Sequence, residues 1–273
     1  MLDIKTNLSH KSEVRCKLWR KKILEISQKV QALHIAPAFS CVEITDTIYF
    51  DLLKIENGKF SDIFIMSKGH GCLIQYVILN ALNILSDHEL SMYCKPQGIL
   101  GAHPDFGVPG IHASTGSLGH GLGIAVGQAL GEKMKSSSTK VYCLISDGEL
   151  QEGSTWEALM MAANLRIDNL IVLIDLNDFG GLERMSLGHP SFYPIKDKLE
   201  SFGWETFEVD GHNPKDILEK LSNRANNLPT VLICKTVKGK GVSFMENVPI
   251  WHYRSPTLSE YTAAITEIDS INA

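Results

Sequence analysis

The stretch Val141-Tyr142-Cys143-Leu144-Ile145-Ser146-Asp147-Gly148-Glu149 is followed, after a segment with helical spacing, by Leu170-Ile171-Val172-Leu173-Ile174-Asp175-Leu176-Asn177. Two short, apolar, β-branched runs flanking a helical segment make the pattern of a β-α-β unit. Each run ends in an oxygen-bearing side chain, Asp147 after the first and Asn177 after the second. Ligands of open parallel sheets sit just beyond the carboxyl ends of the strands. If the two strands are neighbours, Asp147 and Asn177 face one crevice. A carboxylate and an amide oxygen are hard ligands suited to Mg²⁺ or Ca²⁺, cations that commonly bridge to phosphates. Gly148 lets backbone approach such a phosphate closely. The stretch therefore predicts a Mg²⁺-diphosphate site at the top of a parallel sheet. The plainer alternative is that both residues only shape the turns after their strands.

Working outward, Trp19, Ile23, Ile26, Val30 and Leu33 recur at helical spacing, predicting a first helix that ends near His34-Ile35-Ala36-Pro37, where Pro37 blocks continuation. Three Ser-x-x-Glu patterns read as capping boxes that open helices: Ser40/Glu43, Ser86/Glu89 and Ser154/Glu157. Asp62 to Met66 reads as a buried strand leading into Ser67-Lys68-Gly69-His70-Gly71 and a helix from Cys72 to Leu85. Strand, glycine loop and helix in that order present backbone N–H groups to an anion. Four glycines, Gly116, Gly119, Gly121 and Gly123, crowd the start of an amphipathic segment ending near Lys135. Each costs about 1 kcal/mol inside a helix relative to alanine, so close backbone approach is expected there. Further strands are predicted over Glu205 to Val209 and Thr230 to Lys235. Helices are predicted near Ile195 to Phe202, over Pro214 to Asn226 behind an Asn213 cap, and from about Ser259. Alternating strands and helices with short loops make one α/β domain over 1–273, with a doubly wound, mostly parallel sheet and helices on both faces.

Composition narrows the class. Hydrophobic content of 44% and charged content of 21% are those of a soluble globular protein. A net charge of −5 offers no electrostatic footprint for nucleic acid. No apolar run approaches the roughly 20 residues that span a bilayer. The amino-terminal residues lack the apolar core of a signal peptide. Six scattered cysteines form no CxxC pair and read as small buried hydrophobes, which sets a reducing cytoplasm as the expected compartment.

Several segments then resemble one family. They are Ser67-Lys68-Gly69-His70, Gly101-Ala102-His103-Pro104, Thr115-Gly116-Ser117-Leu118-Gly119-His120-Gly121 and Ser146-Asp147-Gly148-Glu149-Leu150-Gln151-Glu152-Gly153. Trp156-Glu157-Ala158, Val209-Asp210-Gly211-His212 and Lys235-Thr236-Val237-Lys238-Gly239-Lys240-Gly241 complete the set, in order and over nearly the whole chain. Together they resemble the amino-terminal, thiamine-diphosphate-binding part of transketolase. The resemblance implies that Asp147, Asn177 and the main-chain carbonyl of Phe179 hold Mg²⁺, for which Ca²⁺ or Mn²⁺ can substitute. It implies that Gly148, His70 and His252 contact the diphosphate, and that Gly116 and Leu118, with Ser117 between them, lie against the aminopyrimidine ring. Glu149 and Glu157 are expected among the cofactor-binding residues. His34, His70, His103 and His252 would line the substrate funnel as the catalytic set. Glu152 and Glu157 would belong to a carboxylate network toward an interface between subunits, although Glu157 also fits a purely local capping role. His10, His88, His189 and His212 read as structural or surface residues.

The implied reaction is transfer of a two-carbon ketol unit from a ketose phosphate to an aldose. In the family the glutamate that activates the cofactor lies in a second, pyrimidine-binding domain, and this sequence reaches Ala273 without one. The expectation is a split transketolase, with a separate chain carrying that domain in an α2β2 heterotetramer. An expressed fragment is the alternative. The departures fall near the substrate mouth: Ser146 for the usual glycine before Asp147, Ala36-Pro37 for a glycine pair, His120 for a glutamine, and Asp178-Phe179-Gly180-Gly181 without the usual glutamine. They admit a specialised ketol transferase as the nearest rival. A non-catalytic regulatory subunit is the reading from another class. The alpha chain of a 2-oxo-acid dehydrogenase and deoxyxylulose-phosphate synthase fit these segments less well.

Overall fold

In the computed structural model, which describes residues 11–30, 33–56, 59–225 and 227–270, five strands form one parallel sheet. The strands, in chain order, are β1 (Ile55–Glu56), β2 (Lys59–Phe60), β3 (Ile63–Met66), β4 (Val141–Ser146), β5 (Leu170–Leu176), β6 (Phe179–Gly180), β7 (Glu183–Arg184), β8 (Glu205–Asp210) and β9 (Thr230–Lys235). The main sheet has the order β3-β4-β5-β9-β8, and β1-β2 and β6-β7 are two-residue antiparallel ribbons. The helices are α1 (Ser12–Ser27), α2 (Ile35–Ser40), α3 (Val42–Thr47), α4 (Cys72–Ala81), α5 (Asp87–Ser91) and α6 (Gly121–Met134). They continue with α7 (Gly153–Asn164), α8 (Met185–Gly188), α9 (Ile195–Ser201), α10 (Pro214–Ser222) and α11 (Leu258–Ser270).

Strands β4 and β9 are buried almost throughout, as parallel strands covered on both faces must be. Alternate residues feed two cores. Tyr142, Leu144, Ile171 and Leu173 join a layer built by α1, α2, α3, α4, α10 and α11. Val141, Cys143, Ile145, Val172 and Ile174 join the opposite layer of α6, α7 and α9. The chain passes β4, β5 and β8 with its crossovers on the second layer. It then returns through α10 on the first layer to seat β9 inside β8. Right-handed crossovers require that change of face when the direction of winding reverses. The doubly wound expectation is met, and among the described residues every pairing in the main sheet is parallel.

Local signals fared unevenly. Ser86 and Glu89 form the expected capping box, and the Asn213 side chain caps α10 by accepting from Lys215 N at 3.1 Å. The other two boxes are corrected. Ser40 ends α2 and gives its hydroxyl to Pro37 O and Asp175, while Glu43 pairs with Arg20 and His212. Ser154 donates to Gly119 O and Glu157 is exposed, leaving α7 without a side-chain cap. Helix α1 stops at Ser27, short of the predicted end. Pro37 does not block a helix but sits in the first turn of α2, where N–H groups have no helical acceptor to lose.

Candidate functional site

Register decides the floor of the site. Ser146 pairs with Asp175 across β4 and β5, so Asp147, one residue further on, and Asn177, two residues further on, emerge near each other at the carboxyl edge of the sheet. The Asp147 carboxylate is fully buried and accepts backbone N–H groups at both oxygens, from Gly148 at 2.9 Å and Asp178 at 2.6 Å. Asp178 takes a left-handed backbone (φ 66°) to make that bond. Asn177 Oδ1 accepts from Phe179 N at 3.2 Å, and its Nδ2 donates to Asp175 at 3.1 Å. Burial, with the charge of Asp175 beside it, pushes the Asp147 carboxyl up to about 7. No ion pair reaches this carboxylate among the described residues, although a divalent cation beside it would hold it ionised. The donor set of carboxylate, amide oxygen and carbonyl oxygen fits Mg²⁺.

Above that floor lies a cleft of about 240 Å³, lined by His34, His70, His103, Lys238 and His252 among others. These side chains arrive from separated segments: the start of α2, the turn after β3, the loop before Gly116, and the stretch after β9. His34 is the hub, with ring centroids 5.6 Å from His70, 5.9 Å from His103, 5.3 Å from His252 and 4.6 Å from Tyr253. Burial, followed by neighbouring positive charge, pulls His34 down to about 4 and His252 to about 3, and pulls His70 well below the usual range. All three imidazoles are therefore neutral at pH 7. Lys238 donates to Gly181 O at 2.8 Å and lies 2.9 Å from His252 Nδ1. A donating ammonium makes that nitrogen the acceptor and leaves the proton on Nε2. Burial brings Lys238 itself down to about 8.

Gly116 explains part of the glycine-rich segment. Its φ is 134°, and a Cβ there would sit 2.7 Å from the His103 ring. The four histidines of the predicted set thus share the cleft with Gly116, Leu118, Gly148, Asn177 and Phe179. Asp147 lies buried between two lining residues, Ser146 and Gly148. Four predicted residues are not brought to the lining. Ser117 is exposed next to it. Glu149 is fully buried, accepting from Gly119 N at 2.9 Å and from the Ser67 hydroxyl. Glu157 and Glu152 are exposed on and before α7. His88 and His189 are surface residues, as expected, and His10 lies outside the described residues. His212 is structural in a specific sense, accepting from Val237 N at 2.8 Å and reaching Glu43 at 2.9 Å.

Sequence reasoning missed Lys238, which is 2% exposed, and the fully buried Lys68–Asp175 pair. The available signal was a charged residue inside or beside each of two apolar runs: Asp175 within Leu170–Leu176, and Lys68 two residues after Ile63–Met66. A buried charge needs a partner.

A hard-ligand floor beneath a histidine-lined mouth, at the carboxyl edge of a doubly wound sheet, is an α/β arrangement whose donor groups could hold a metal–phosphate group. Residues 15–255 match the family described as transketolase, thiamine diphosphate binding domain. One of the subunits of apulose-4-phosphate transketolase from Phocaeicola vulgatus is 37% identical over 258 residues, covering 91% of this chain and 90% of that protein. The equivalent apulose-4-phosphate transketolase chain from Actinobacillus succinogenes is 36% identical over 272 residues, covering 96% and 98%. Among solved structures, transketolase from Leishmania mexicana superposes with a TM-score of 0.87 at 22% identity, covering 95% of this chain. This chain spans 41% of that longer one. The chain belongs to the transketolase family and comprises its thiamine diphosphate binding domain.

Proposed function

We propose that this chain is the diphosphate-binding half of a split transketolase, transferring a two-carbon ketol unit from a ketose phosphate to an aldose with Mg²⁺ and a partner chain. The observation that carries the reading is the single cleft in which His34, His70, His103 and His252 face a floor of Gly148 and Asn177 beside the buried Asp147. Asp147, Asn177 and the Phe179 carbonyl would hold Mg²⁺. Gly148, His70 and His252 would meet the diphosphate, and Lys238 complements its charge. Thiamine diphosphate supplies a carbanion and an electron sink for cleaving the bond beside a ketone. The neutral imidazoles of His34 and His70 can each accept or donate one proton at a substrate hydroxyl, which general acid–base work requires, and His103 adds a third ring to the same cleft. Gly116 and Leu118, with Ser117, would lie against the pyrimidine ring, with Glu149 supporting them from below through Gly119. Glu152 and Glu157, exposed at the start of α7, would face the partner chain in an α2β2 assembly in the cytoplasm.

A partner is supported by the relatives matched over 90% and 98% of their length, each of which is named as one subunit of a transketolase. Their names also favour a specialised substrate such as apulose 4-phosphate over a general pentose phosphate. The test mixes this chain with a separately expressed pyrimidine-domain chain, thiamine diphosphate and Mg²⁺, and measures ketol transfer from apulose 4-phosphate and xylulose 5-phosphate. Turnover is expected only from the mixture. Full turnover by this chain alone would sink the split reading, and a preference for xylulose 5-phosphate would sink the specialised one.

A further inference from the structure

Asp175 stands near the end of β5, and its side chain is entirely buried. Four side chains from four separate segments donate to its carboxylate. Oδ2 accepts from Ser40 Oγ of α2 at 2.6 Å, from Lys68 Nζ after β3, and from Asn177 Nδ2 after β5 at 3.1 Å. Oδ1 accepts from Thr236 Oγ1 after β9. Lys68 also donates to Pro37 O at 2.9 Å and to Ser40 Oγ at 3.3 Å. Its three ammonium hydrogens are thereby committed below the cleft, in contrast with Lys238, which lines it.

An asparagine amide has a donor end and an acceptor end of nearly equal size, and its neighbours choose between the two orientations. An ionised carboxylate only accepts. Asp175 therefore compels Asn177 to turn Nδ2 inward, and the carbonyl oxygen faces the other way, where it meets Phe179 N and the cleft. If a neutral amide stood at position 175, the flipped orientation would become available. It would present an NH₂ group where a cation needs an oxygen. We propose that Asp175 is a positioning residue that fixes Asn177 Oδ1 as a cation ligand, and that its buried ion pair with Lys68 holds the carboxylate in place to do so. The inference rests on the reading of Asn177 as a metal ligand and assigns a role to two residues that do not line the cleft.

Outer partners of metal ligands characteristically change metal affinity by about 10- to 100-fold. The experiment titrates the full chain with Mn²⁺, read by electron paramagnetic resonance, with inorganic pyrophosphate present. Pyrophosphate binding in EDTA is measured in parallel as the metal-free control. Asp175→Asn is expected to weaken Mn²⁺ binding by about 10- to 100-fold. That variant leaves Lys68 uncompensated and can fail to fold, so Lys68→Met combined with Asp175→Asn is the second variant. Exchange of a whole buried ion pair for neutral groups is often tolerated. The double variant is expected to fold by circular dichroism, to lose the same factor in Mn²⁺ affinity, and to bind pyrophosphate in EDTA like the wild type. A folded double variant that holds Mn²⁺ as tightly as the wild type overturns the proposal. An equal loss of metal-free pyrophosphate binding, or failure of the double variant to fold, also overturns it, since either result makes the pair a structural requirement. A wild-type chain that fails to hold Mn²⁺ with pyrophosphate instead overturns the cofactor reading itself.

Discussion

At the floor of the cleft the polar atoms are tied down, whereas at the mouth they are largely open. Both Asp147 oxygens and both ends of the Asn177 amide have protein partners. The rings of His34, His70 and His103 meet one another and Tyr253 through ring contacts, and among the described residues no hydrogen bond holds them. A fixed ligand set suits a cation and anion that stay through many turnovers, since preorganisation removes the cost of ordering the site at each binding event. Uncommitted imidazoles suit hydroxyl groups that arrive and leave. Burial raises one group and lowers the others because it always opposes charge: Asp147 moves up to about 7 and His252 down to about 3.

The contrast can be broken at the floor first. Asp147→Ala should abolish Mg²⁺-dependent thiamine diphosphate binding, a loss above about 100-fold. The melting temperature should hold or rise, because a buried carboxylate without a cation is removed. Calorimetric titration and a thermal melt check this, and retained cofactor affinity refutes the assignment. At the mouth, His103→Ala should lower kcat/KM of the reconstituted enzyme by about 100-fold while leaving Mg²⁺ affinity unchanged; coupled loss of both would dissolve the distinction between the regions.

Acid should separate them next. Between pH 6.5 and about 4, folded His34 and His252 bind fewer protons than the unfolded chain, so stability rises with pH across that window and is lost as pH falls. Melting temperatures of the cofactor-free chain should drop from pH 6.5 to 4, and His34→Gln should flatten the slope. A slope unchanged by that substitution would assign the acid sensitivity elsewhere. The smallest effect is expected outside the cleft. Glu157→Ala should shift the stability of the isolated chain by no more than about 0.5 kcal/mol, because the side chain is exposed. It should weaken assembly with the partner in sedimentation velocity.

Some of this was legible because the cause is local. Parallel strands covered on both faces are apolar at nearly every position, so Val141–Ser146, Leu170–Leu176 and Thr230–Lys235 announce themselves. The Ser86/Glu89 box was readable because it is exposed and no other group competes for it. Ser40/Glu43 and Ser154/Glu157 carry the same spacing and fail, because Asp175, Arg20, His212 and the Gly119 carbonyl claim the side chains from across the fold. Periodicity through Val30 and Leu33 overextended α1 because both residues still pack on the same core after the helix has ended.

The amino-acid order by itself determined the β-α-β ladder, the hard ligands at its strand ends and the four histidines, since strand ends and glycine loops are written in neighbouring residues. Only the tertiary structure decided that Asp147 and Asn177 share one crevice, that His34, His70 and His252 are neutral, and that Asp175 turns the Asn177 amide. Each of these depends on burial and charge contributed by segments far apart in the chain: Lys68 lies 107 residues from its carboxylate partner.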